Sequence, residues 1–255
     1  MLADPTIVVG QLRGLRSALG IGLRYHSPLL RCMRVPRAQA LQEPHSVNAN
    51  NQRFRDFIAQ LTHVVATPGI GEAQLLDEGE RLLGALIGHD DWLPEEFARA
   101  STEGYRQYLL YCDPLERFSV ASFIWGPGQS TPVHDHTVWG LVGVMRGEEV
   151  CGEYATPQPG RPMQKTGEHR VGVGGIDRVS PTIGDVHTVS NGLSDRPSIS
   201  IHVYGANIGA VSRHVFDAAT GTVKPFVSGY HNTTMPNFWD RSAEVRAALA
   251  AKGAS

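Results

Sequence analysis

Apolar residues recur at helical spacing in the first part of the chain and change to short alternating runs after it. Phe54, Phe57, Ile58, Leu61 and Val65 fall on one stripe, which predicts an amphipathic helix. Leu75, Leu76, Leu82, Leu83 and Leu86 predict a second helix, and Phe97, Tyr105, Tyr108 and Leu109 a third, so residues 51–112 are expected as a helical layer. From Arg117 to about Val227 the chain reads instead as short strands: Phe118–Trp125, Val138–Met145, Glu149–Tyr154, Val186–Val189, Ser198–Tyr204 and Val211–Phe216. Gly126-Pro127-Gly128, Arg146-Gly147, Gly174-Gly175 and Asn191-Gly192 break them. Many short strands at near-even spacing predict an antiparallel sandwich or barrel over 117–227. A tail over 228–255 ends in an Ala-rich helix, Ser242–Lys252. The expected fold is mainly β with an N-terminal layer of α-helices, packed as one domain over 51–255.

Composition narrows the partners. The 255 residues carry a net charge of −2, with no sign asymmetry of the whole chain to attract nucleic acid or an anionic membrane. No apolar run approaches the roughly 20 residues that span a bilayer, so a soluble protein is expected. Three cysteines, Cys32, Cys112 and Cys151, contain no C-x-x-C pair, which argues against a disulfide scaffold or a thiolate zinc site and for a reducing cytoplasm. Residues 1–42 differ from the rest: six Arg (13, 16, 24, 31, 34, 37) stand against Asp4 alone. Segment 1–50 is expected as a basic, poorly ordered extension, with a transit peptide as the other reading.

Of the eleven histidines, His26, His45, His63, His89, His169 and His231 stand alone in polar contexts. His134-Asp135-His136 is different. In a strand, residues i and i+2 share a face, so two imidazoles converge while Asp135 points away. Two neutral imidazoles on one face make half of a divalent-metal site. The surrounding frame adds weight. Gly128 stands six residues before His134, with Gly140 and Gly147 after; downstream come Gly175, Pro181, Gly184, His187 and Asn191. These residues resemble the two motifs of the cupin superfamily, G-x5-H-x-H-x3-4-E-x6-G and G-x5-P-x-x-G-x2-H-x3-N. Every marked position matches except the Glu, whose place Gly140 takes. The resemblance implies a jelly-roll β-barrel. It also implies a metal held by His134, His136 and His187 alone, leaving open positions for an anionic bidentate substrate and O2. A three-His zinc ion would suit hydrolysis, but nothing nearby supplies a general base.

Ser200-Ile-His202-Val-Tyr204 places three polar side chains on one face of a strand, with Ile201 and Val203 on the other. In a barrel interior such groups must bond each other. Taken with the histidines, this run resembles the cysteine dioxygenase family of thiol dioxygenases over about Tyr105–Phe226. The resemblance implies one Fe(II) per chain, a small thiol carboxylic acid and O2 as partners, a sulfinic acid product, and an outer relay of Ser200, His202 and Tyr204. The chain departs from mammalian-type members in three places. Gly140 replaces a Cys that crosslinks to the tyrosine, so Tyr204 should stay an unmodified phenol. Tyr105-Arg106-Gln107-Tyr108 leaves the position of the carboxylate-binding Arg uncertain. Gly205-Ala206-Asn207-Ile208 replaces a Ser-Pro. All three resemble bacterial 3-mercaptopropionate dioxygenases, where Gln107 and Arg213 would line the pocket and Arg213 would hold the substrate carboxylate. The alternatives are a surface Arg213 on an edge strand and a helix-surface Gln107. At the level of function they are a cysteine dioxygenase using Arg106, or a metal-binding cupin sensor without turnover. A cytoplasmic monomer or small homo-oligomer is expected.

Overall fold

The computed structural model describes residues 51–158, 160–234 and 242–253; the basic segment 1–50 lies outside the described residues. The first two predicted helices form, α1 over Asn51–Val65 and α2 over Glu72–Ile87. Their apolar stripes bury Phe57, Leu61, Leu75, Leu76, Leu82, Leu83, Leu86 and Ile87. Each such side chain contributes on the order of 1.5–3 kcal/mol when fully removed from water.

The third predicted helix does not form. A single 3-10 turn spans Glu95–Phe97, and Arg106–Cys112 is strand β1, so the helical layer ends well before residue 112. Gly104, at φ 152°, precedes a run that is apolar on both faces. Tyr108, Leu110 and Tyr111 pack toward the helices, while Gln107 and Leu109 are buried on the other side. Two buried faces and a bulge between Leu109 and Tyr111 blur the period-2 signal into one that also fits a helix.

The β body has ten further strands: β2 Ser119–Trp125, β3 Val133–His134, β4 Gly140–Arg146, β5 Glu148–Tyr154, β6 Lys165–Gly172, β7 Ile176–Val179, β8 His187–Asn191, β9 Ser198–Tyr204, β10 Arg213–Phe216 and β11 Val223–Phe226. Two antiparallel sheets result, ordered β1-β2-β9-β4-β7 and β11-β10-β3-β8-β5-β6. Strands β3, β6, β7 and β11 are additions to the predicted set. The tail helix α3 covers Ser242–Gly253. Among the described residues no helix is long and apolar enough to cross a membrane.

Strand β9 organises the interior. All seven of its residues are buried, yet they alternate in character. Ile199, Ile201 and Val203 join Leu83, Leu86 and Ile87 in the core between sheet and helices. Ser198, Ser200, His202 and Tyr204 alternate with them and so face into the barrel. Register carries the same division to β2 and β4: Ala121 pairs with His202, Phe123 with Ser200, and Gly140 with Tyr204. Gly147 joins β4 to β5 at φ +79°, and a Cβ there would lie 2.9 Å from Ser198 Cβ; only glycine meets both constraints.

Candidate active site

Three imidazoles meet inside the barrel. His134 comes from β3, His136 from the turn after it, and His187 from β8, which pairs with β3 at the His134–His187 register position. Ring centroids lie 4.8–4.9 Å apart, and all three residues are at most 7% exposed. Each Nδ1 is engaged from outside. His134 Nδ1–H donates to the Pro132 carbonyl at 3.1 Å, His136 Nδ1–H donates to Asp185 Oδ1 at 2.7 Å, and His187 Nδ1 lies 3.4 Å from Cys151 Sγ. A carbonyl and a carboxylate only accept, so His134 and His136 carry their proton on Nδ1 and present a bare Nε2. His187 Nε2 is buried without a hydrogen-bond partner among the described residues. Burial, and in second place the neighbouring imidazole of His187, holds His134 and His136 well below the usual histidine pKa; burial lowers His187 to about 4. Three neutral, oriented imidazoles whose ligand atoms lie within 4.8 Å of one another fit a divalent ion.

Asp185 and Cys151 are the supports that sequence reasoning missed. Asp185 also accepts the backbone N–H groups of His136 (3.0 Å) and Thr137 (2.9 Å). Those bonds hold Thr137 at φ 62°, a left-handed conformation that costs a β-branched residue about 1–3 kcal/mol. The available signal was Asp185 itself, two residues before His187 in the second motif. Cys151 is buried, and burial together with Asp177 and Glu153 pushes its thiol up to about 12. Asp135 faces away, as expected, and binds His214 through its backbone N–H (2.7 Å) and Nδ1 (2.8 Å).

The polar side of β9 forms a continuous line. Ser200 Oγ lies 2.7 Å from His202 Nε2, and His202 Nδ1 lies 2.8 Å from the Tyr204 hydroxyl. Phe123 stacks on the His202 ring with centroids 3.9 Å apart, and Tyr204 stacks on His136 at 5.2 Å. A Cβ at position 140 would meet Tyr204 Cδ1 at 2.7 Å and Cε1 at 2.9 Å, so glycine there lets the phenol ring lie flat against β4. Burial pushes the Tyr204 phenol well above its usual pKa, and it stays protonated.

Arg213 and Gln107 line the same cavity as the histidines. Arg213 is on β10, in the opposite sheet from β9, and is 3% exposed, which excludes the surface-arginine reading. One Nη donates to Ser228 Oγ at 2.8 Å, the guanidinium lies 5.2 Å from the Phe226 ring centre, and Nε has no hydrogen-bond partner among the described residues. No carboxylate forms an ion pair with it among the described residues. Gln107 is on a strand rather than a helix surface, 2% exposed, with its amide nitrogen unpartnered among the described residues. His231 is not a solitary surface histidine: its Nδ1 accepts the Gln107 backbone N–H at 3.0 Å, fixing the edge of β1. Arg106 points elsewhere, donating to Ser101 Oγ and Glu103 Oε2, both at 2.6 Å.

The sequence profile described as cysteine dioxygenase type I matches residues 45–217, well over half the chain. The chain belongs to the cysteine dioxygenase type I family. It is therefore a thiol dioxygenase with a cupin barrel, of a family whose enzymes depend on non-haem iron. The enzyme is 24% identical to cysteine dioxygenase type 1 of Danio rerio over 197 residues, 76% of this chain and 89% of that protein. Solved structures matched include a cupin-like protein of Thermotoga maritima, at 19% identity over 45% of this chain and 80% of that one, TM-score 0.33. A Klebsiella pneumoniae protein with a double-stranded β-helix domain matches at 22% identity over 45% of this chain and 89% of that one, TM-score 0.35.

Proposed function

We propose that the enzyme converts 3-mercaptopropionate to 3-sulfinopropionate, with one Fe(II) held by His134, His136 and His187. The observation that carries the substrate is Arg213. A buried guanidinium without a carboxylate partner is costly, and an anionic ligand in the same cavity relieves that cost. Arg106, the alternative anchor for L-cysteine, is turned to Ser101 and Glu103.

Bound iron would supply a Lewis acid that favours the thiolate form and a site where thiol and O2 meet. The overall change adds both oxygen atoms to sulfur, RS⁻ + O2 → RSO2⁻. Sulfur gives up four electrons, so no external reductant is consumed. The chain's own groups bind and orient. Arg213 offers a forked pair of N–H donors to the carboxylate, and the Gln107 amide adds a further donor beside it. Tyr105, Phe123 and Trp125 line the same cavity and exclude water. The Tyr204 hydroxyl, positioned by His202, holds a proton at the cavity wall.

Product analysis tests the reaction: iron-loaded enzyme given 3-mercaptopropionate should form one 3-sulfinopropionate per O2 consumed. Recovery of the disulfide in its place would contradict it. Tyr204→Phe should retain iron at the wild-type level and slow turnover by about 100- to 1,000-fold, the range for losing one positioned donor or acid. Unchanged kcat would remove Tyr204 from the reaction.

A further inference from the structure

On the far side of His187 the structure gathers a second set of sulfur, nitrogen and oxygen donors. Cys151 of β5 stands opposite His169 of β6 in register, and Glu153 opposite Gly167, so these four share one face of the β5–β6 pair. Asp177 of β7 comes in from the other sheet. Ligand atoms of Cys151, His169 and Asp177 all lie within 4.8 Å of one another. His169 Nε2 is 2.8 Å from Asp177 Oδ2, and its Nδ1 is 3.3 Å from Glu153 Oε1. A Cβ at position 167 would lie 2.8 Å from Glu153 Oε2, so glycine there gives the carboxylate room. Neither Asp177 nor Glu153 pairs with an arginine or lysine among the described residues: Arg178 turns out to Asp77 and Glu80, and Lys165 to Glu168. Cys151, Glu153, His169 and Asp177 line a cavity of about 430 Å³, distinct from the cavity of Arg213 and Tyr204. Among the described residues only His187 lines both.

The geometry points to a second divalent-metal site, of the zinc class, made by Cys151 Sγ, His169 Nε2 and the Asp177 carboxylate and set back to back with His187. A thiolate, an imidazole and a carboxylate are donors that zinc takes in tetrahedral sites, and the fourth position falls to water from the cavity. Bonds of about 2.0–2.3 Å set such donors roughly 3–4 Å apart, so closing on an ion needs shifts of about 1 Å. The His169 side chain, 40% exposed, is free to make them. Two carboxylates without a cationic side-chain partner other than His169 give the pocket the negative charge that a dication neutralises. Glu153 then accepts Nδ1–H of His169 and fixes the tautomer that bares Nε2, the carboxylate–histidine support found at zinc ligands. Binding exchanges protons for metal. A thiol bound to a dication deprotonates, so the Cys151 Sγ–H proton leaves to solvent, and the ion takes the place of a proton at His169 Nε2. The sulfur keeps its 3.4 Å contact with His187 Nδ1 as an acceptor, so filling this site leaves His187 Nε2 facing its own cavity.

Cobalt(II) replaces zinc in such sites and reports sulfur ligation through a sulfur-to-cobalt charge-transfer band, which the three imidazoles of the proposed iron site cannot give. Metal-free enzyme saturated with cobalt(II) should therefore bind two ions per chain and show the band. His134→Ala should lose one ion and keep the band. His169→Ala, at a half-exposed position, should keep one ion and lose the band, and Asp177→Asn is the second variant should it not fold. Cys151→Ser should lose the band as well. Zinc(II) added to the cobalt-loaded wild type should bleach it, since zinc is the tighter ion for such donors. A wild type without the band overturns the proposal, as does a band that survives Cys151→Ser or keeps its strength in both His169→Ala and Asp177→Asn. A band that zinc cannot bleach overturns the zinc assignment. One ion per chain with the band present would support this site and remove the three-His set as a metal centre instead.

Discussion

His187→Ala is expected to leave the enzyme folded and without iron. No carboxylate joins the proposed three-His site among the described residues, and by resemblance to the cupin motif Gly140 takes the place of a fourth ligand. Removing one of three neutral donors leaves two, and iron affinity should fall by more than the roughly 10- to 100-fold that loss of an outer partner brings. The fold should survive. His187 Nε2 makes no internal hydrogen bond, and β8 keeps its backbone pairing to β5 and β3. Iron content measured after gel filtration should drop from about one per chain to near zero, with an unchanged circular dichroism spectrum. Full occupancy in the variant would remove His187 from the ligand set.

Arg213→Ala should separate binding of the acid end from the chemistry at sulfur. Truncating one partner of a desolvated charged pair costs on the order of 2–4 kcal/mol. That is a loss of roughly 30- to 1,000-fold in kcat/KM for 3-mercaptopropionate, at about 1.4 kcal/mol per factor of ten. Iron content should not change, because Arg213 hydrogen-bonds Ser228 and lies over Phe226, with no hydrogen bond to a histidine among the described residues. A thiol without a carboxylate provides the control: cysteamine turnover should be nearly indifferent to the substitution. Equal losses on both thiols would show that Arg213 supports the barrel rather than the substrate.

The features legible in the sequence are those fixed by local spacing. Ser198–Tyr204 shows a strict alternation, so its polar and apolar faces follow from period two alone, and the structure divides them as expected. The convergence of His134 with His136 follows from the same rule, although His136 lies just past the end of β3. Strand β1 was misread because both of its faces are buried and a bulge shifts its register, which erases the alternation. The supporting residues were not legible because their partners are distant in the chain. Asp185 reaches back 49 residues to His136, and Cys151 reaches 36 residues to His187. Glu149 is legible only as the first residue of a predicted strand, and its burial comes from the placement of β5 between β8 and β6. Gln107 and Arg106 part because β1 is a strand, which sends neighbouring residues to opposite faces, and not the expected helix.

Oxygen consumption by the iron-loaded enzyme across 3-mercaptopropionate, L-cysteine and cysteamine tests the central claim most directly. Arg213, lining the same cavity as the three histidines, predicts the highest kcat/KM for 3-mercaptopropionate, with cysteamine, which lacks the carboxylate, far below it. Faster uptake with L-cysteine, or equal uptake with cysteamine, would contradict it.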